Sequence, residues 1–221
     1  MKRTRFVFQV AVMVAVAVRA MPAQGQGPVP LTARLGLEGG VQYQRFSDDL
    51  ASQTGPGVGY EGQVRYFAYG WSIGVGVDYV QHEKQYVTLV GSPATVVTRA
   101  SDANFTGLFV EPRLPLGGPR SPVRPYLALR AGMGRAKPLV NLGTDAAPEL
   151  VETSVTSYTW NAGFGVALQL AGPVSLDVAL NGGVVKWNAN DEDLFPGSVV
   201  GNGDTSTGNF TARGGLSFRF R

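Results

Sequence analysis

From residue 31 onward, apolar side chains recur at every second position in eight separate runs. A period of two marks a strand with one apolar and one polar face. The runs cover residues 31–43, 58–66, 71–79, 108–114, 127–133, 160–170, 174–180 and 210–220. Several match or exceed the about 9–11 residues that a tilted strand needs to cross a bilayer, against about 5–6 for a typical soluble strand. Between them, residues 44–57, about 81–104, 136–153 and 188–208 are long and rich in Gly, Ser, Asn, Asp and Thr. The other links are short: Tyr69-Gly70, residues 114–124 and Ala171-Gly172-Pro173. Long and short links alternate along the chain. That order predicts an all-β, eight-stranded antiparallel up-and-down barrel, with both chain ends on the side of the short turns.

The first 25 residues have another pattern. Lys2, Arg3 and Arg5 precede an apolar run over 6–18, broken only by Gln9, and small residues follow. These are the three parts of a secretory signal, with cleavage expected between residues 20 and 25, which leaves 26–221 as a single barrel domain. At 13 residues the apolar run is shorter than the about 20 that a spanning helix needs, the alternatives being an uncleaved anchor or a buried helix. The leader also accounts for the basic balance. Of 19 Lys and Arg, four lie in the first 20 residues, leaving 15 against 16 acids, a net of −1. A nucleic-acid partner is therefore not expected, since its basic stripe would have to lie on the folded domain. The sequence has no cysteine, which excludes a disulfide scaffold, a thiolate metal site and a cysteine nucleophile.

Glycine decides which face meets which solvent. The polar faces carry Gly74/Gly76, Gly132/Gly134 and Gly163/Gly165. On a solvated outer face such glycines only weaken a strand, whereas in a narrow eight-stranded lumen they make room for large neighbours. The apolar face is thus predicted to meet lipid. Tyr43, Tyr60, Tyr66, Tyr69, Trp71, Tyr79, Trp160, Trp187, Phe218 and Phe220 fall mostly near strand ends, where interfacial belts sit. The inward face carries Glu38, Glu61, Asp78, Glu111 and Asp177, opposed by Arg34, Arg65, Arg113, Arg130, Arg213 and Arg219. Arginine suits bidentate pairing with carboxylates in confined sites, so an ion-pair plug that fixes the barrel's shape is expected. The other use of the same charges is a narrow aqueous channel.

Little else carries chemistry. His82 is the only histidine, with Glu83 and Lys84 beside it, and it is expected as an exposed rim residue. A lipid-modifying enzyme using His82 would need a serine such as Ser92 or Ser101 folded back onto it. Asp191, Glu192, Asp193 and Asp204 lack calcium-loop spacing and read as a solvated acidic loop. No catalytic residue, metal or cofactor is predicted.

With these features in place, the chain resembles the small eight-stranded outer-membrane barrels of the OmpA/OmpX type, without a peptidoglycan-binding domain. The most specific element is the carboxyl end: Arg213, Gly215, then Phe218 and Phe220 at alternate positions. This stretch resembles the family's assembly signal. Arg221 departs from it, because such proteins usually end on the aromatic. The resemblance implies a monomer in the bacterial outer membrane with both termini periplasmic. Its partners would be outer-membrane lipids, lipopolysaccharide and the barrel-assembly machinery. Surface ligands would bind the four long loops, and no enzymatic activity is implied.

Overall fold

A computed structural model describes residues 35–47, 54–68, 70–90, 95–116, 121–137, 139–141, 150–152, 154–188 and 206–220. The predicted leader lies outside them. The barrel strands are β1 (Leu35–Phe46), β2 (Thr54–Ala68), β3 (Trp71–Val90), β4 (Thr95–Pro115), β5 (Val123–Lys137), β8 (Val155–Ala171), β9 (Val174–Trp187) and β10 (Ser206–Arg219). A separate small hairpin, β6 (Leu139–Asn141) with β7 (Leu150–Glu152), lies in the connection from β5 to β8.

Every barrel strand pairs antiparallel with its chain neighbours in the wall, and β1 pairs with β10 from Gly36↔Arg219 to Phe46↔Asn209. The eight strands therefore close on themselves and leave no edge. Closure satisfies the wall's backbone donors and acceptors within the protein, as a hydrocarbon surround demands. Two of the turns at one end are tight. Gly70 and Gly172 take φ values of +82° and +50°, a left-handed conformation that favours glycine.

The period of two fixes the faces. On β3 the apolar side chains Trp71, Val75, Val77 and Tyr79 are exposed on the outside, while Ser72, Gly74 and Gly76 face in and are buried. Val75, at mid-strand, is 58% exposed. The outward positions of the other strands repeat this, with Val64, Val110, Leu129, Phe164 and Leu216 among them. Aromatic pairs mark the edges of the apolar band: Tyr66 with Trp71 and Phe218 with Phe220 towards the short turns, Tyr158 with Trp160 towards the other end. An apolar zone this continuous is solvated by lipid rather than water.

One expectation is corrected. Residues about 81–104, read as a long loop, continue the ladder: β3 and β4 stay paired to Val90↔Thr95, leaving only residues 91–94 as the connection. Alternating hydropathy reports immersion in lipid, whereas backbone pairing does not depend on it and can run on past the apolar band.

A closed barrel of this kind should resist detergent. Unheated protein in SDS is expected to run faster on a gel than the boiled sample, and equal mobility would exclude a closed wall.

Candidate functional site

The inward faces meet at Glu111 on β4, whose side chain is 0% exposed. Four arginines from four strands reach it. Arg65 (β2) and Arg113 (β4) bind Oε1 at 2.9 and 2.7 Å, and Arg130 (β5) and Arg213 (β10) bind Oε2 at 2.9 and 2.7 Å. Around this centre Glu38 holds Arg65 at 2.9 Å and Arg113 at 3.1 Å. Glu61 holds Arg130 at 2.7 Å and Arg213 at 3.1 Å. Asp177 takes Arg113 at 2.9 Å and the Tyr126 hydroxyl at 2.8 Å, and Asp78 lies 3.6 Å from Arg130. Gln63 joins the layers, donating to Glu38 at 2.6 Å and accepting from Arg65 at 2.9 Å. The flat guanidinium faces are used as well: Arg130 lies 3.7 Å over Phe109 and Arg113 lies 4.4 Å over Tyr126.

Seven of the eight wall strands supply an ionised group to this plug, and β8 supplies space instead. A Cβ on Gly165 would run into the Tyr126 ring, and one on Gly163 would meet Asn181. On β3, a Cβ on Gly74 would collide with Gln63 and reach Arg65 Nη2 at 2.9 Å. Inward glycines and large polar groups are thus complementary halves of one packed layer. Arg219, expected in the network, is a correction. Its guanidinium stacks over Phe67 at 4.1 Å, and among the described residues no carboxylate lies within ion-pair distance of it. Arg34, also expected on the inward face, lies outside the described residues.

At the end away from the tight turns a second layer closes the lumen. Phe46 stacks on His82 with centroids 4.9 Å apart, Phe105 meets His82 edge-on at 4.9 Å, and Trp187 packs against Phe46 and Phe105 at 5.8 and 5.6 Å. Val155, Val185 and Ala136 complete this lid. His82 is therefore not an exposed rim residue. It is 0% exposed, with Nδ1 3.0 Å from the Gly55 carbonyl and Nε2 3.3 Å from Gln44 Oε1. Trp187, expected in the interfacial belt, is likewise buried in the lid because its position shares the inward phase of Asp177 and Asn181. The same phase count, carried past the lipid-spanning runs, marks Phe46, His82 and Phe105 as inward. Between lid and plug a cavity of about 60 Å³ is bordered by Gln42, Asp78, Ser157, Asn161, Asn209 and Thr211.

The carboxyl-terminal residues separate by face. Phe218 and Phe220 are exposed on the lipid side with ring centroids 5.3 Å apart, Gly215 packs inward against Gly40, and Arg213 belongs to the plug. Asp191, Glu192, Asp193, Asp204, Ser92 and Tyr69 lie outside the described residues, as does the side chain of Ser101. Among the described residues no cluster of His, Asp and Glu could hold a metal ion.

No family model matches the chain. No curated protein matches it either. Among solved structures, Neisserial surface protein A is similar with a TM-score of 0.51 and 17% identity, over 84% of this chain and 97% of that one. The outer membrane protein OprG from Pseudomonas aeruginosa is similar with a TM-score of 0.52 and 12% identity, over 88% of this chain and 98% of that one. At such identities the likeness is one of fold: the chain has the fold of the small eight-stranded outer-membrane barrels.

Proposed function

We propose that the protein is a closed, non-conducting barrel of the bacterial outer membrane, with a structural role in its wall and a surface-binding role in its outer connections. One observation carries the closed reading: Glu111 and its four arginines fill the centre of the lumen with side chains that are each held by at least two partners. A conducting path needs charged groups that water and ions can reach and leave, not groups already committed to one another. The aromatic lid supports the same reading from the other mouth. The burial of His82 against Gly55 and Gln44 speaks against lipid hydrolysis, which needs an accessible base beside a nucleophile.

The placement in the membrane follows the short-turn rule, with both termini periplasmic and the lid facing outward. Arg45, Arg135 and Lys186 are exposed on the outward face near the lid, where phosphates of lipopolysaccharide would meet them. Phe218 and Phe220, open on the lipid side, fit recognition by the barrel-assembly machinery before the strand closes against β1.

Planar-bilayer recording tests the closed lumen. The refolded chain should show no unit conductance above the leak of the lipid alone. Stable, reproducible steps from the unaltered protein would make it a narrow channel instead.

A further inference from the structure

Charge is distributed unevenly along the lumen. The plug sets five carboxylates against four arginines, and each of those arginines meets at least two carboxylates within 4.0 Å. Below it, at the short-turn mouth, the inward phases of β5 and β10 end on Arg124 and Arg219. Arg124 donates its Nε to the Ser121 carbonyl at 3.0 Å, and Arg219 lies over Phe67. Among the described residues neither has a carboxylate within ion-pair distance. The nearest acid is Glu38, one inward step above Arg219 on the paired strand β1, and its carboxylate is already taken by Arg65, Arg113 and Gln63, while residues 66–72, 114–126, 168–174 and 216–221 contain no Asp or Glu. The strands run β10, β9, β8, β5 around the wall, which sets the two arginines on the same rim of the lumen, three strands apart.

Two like charges held in a mouth with protein walls focus a positive potential there. We propose that Arg124 and Arg219 form a phosphate site at this mouth. The oxyanion comes either from a phospholipid headgroup or from phosphate free in solution. Both guanidiniums keep donors beyond the bonds described, and the guanidinium fork matches phosphate oxygens in pairs. A summed charge of +2 suits a phosphate better than a single carboxylate. The site rests on the closed-lumen reading, because with the plug behind it the mouth is a dead end where an anion is held rather than passed.

The test uses the mature chain refolded in octylglucoside micelles, which contain no phosphorus. Inorganic phosphate and short-chain dihexanoyl phosphatidylglycerol are titrated separately, and the phosphorus line width of each is followed by NMR. Saturable broadening by inorganic phosphate assigns the free source, and broadening by the lipid alone assigns the headgroup. Arg124→Gln together with Arg219→Gln should weaken the response about tenfold or more, and Arg219→Lys, which keeps charge but not the fork, should fall between. No saturable broadening with either probe overturns the site, as does equal broadening from the wild type and the double variant. Planar-bilayer recording of the same samples separates the two readings. Conductance with a normal phosphate response would remove the closed lumen alone, and a silent barrel without a phosphate response would remove the site alone.

Discussion

Replacing Glu111 with alanine should lower the unfolding free energy of the inserted barrel by about 3 kcal/mol or more. Both carboxylate oxygens carry two guanidiniums at 2.7–2.9 Å, and among the described residues no other acid reaches all four arginines. Without it, four cations converge on a space that has lost its anion, and Glu38, Glu61 and Asp177 can only hold them from the sides. Breaking a buried ion network from one side is costly because the charges left behind remain out of water. Glu111→Gln should lose nearly as much. The amide keeps the shape but presents an NH2 group to arginines that can only donate. Urea unfolding in phosphatidylcholine vesicles, followed by tryptophan fluorescence, measures the change. An unaltered midpoint in Glu111→Ala would mean that the outer carboxylates suffice and Glu111 is not the centre of the plug.

The plug was legible in the sequence as a set of positions but not as a set of contacts. Counting by twos along each strand puts Glu38, Glu61, Asp78, Glu111 and Asp177 on the inward face together with Arg65, Arg113, Arg130 and Arg213. Which carboxylate each arginine meets depends on the stagger between neighbouring strands. Arg65 lies opposite Gly36 and Gly74, and its partner Glu111 sits one strand further along the wall, opposite Gly74. No local pattern encodes that offset. Arg219 shows the consequence: its phase is inward, but it falls one layer below the nearest acids. The lid is hidden in the sequence for a different reason. Phe46, Phe105 and Trp187 lie where the lipid-facing residues stop being apolar, so alternation fades there although the strands continue. The sequence marks the height of the bilayer better than the length of the strands.

Two neighbouring residues on β3 should respond to substitution through different physics. Val75 lies midway between Trp71 and Tyr79, paired in register with Val64 and Val110, and all three are exposed outward. Val75→Lys should cost about 2–4 kcal/mol, the penalty for a charge at the depth of the hydrocarbon midplane. Gly76 faces inward, where an added Cβ would lie 2.6 Å from both Gln63 Cβ and Phe109 Cζ and press on the Gly62 carbonyl. Gly76→Val should therefore cost about 1–3 kcal/mol or more through overpacking. The surround distinguishes the two causes. In a thin detergent shell the lysine can reach water and most of its penalty should vanish, while the valine clash should persist, since the lumen is the same in both media. Unfolding midpoints in vesicles and in octylglucoside supply the comparison. If Val75→Lys is tolerated equally in the bilayer and in detergent, the outward face of β3 does not lie in hydrocarbon. If Gly76→Val is tolerated in both, the lumen at that level is wider than the packing of Gln63 and Phe109 allows.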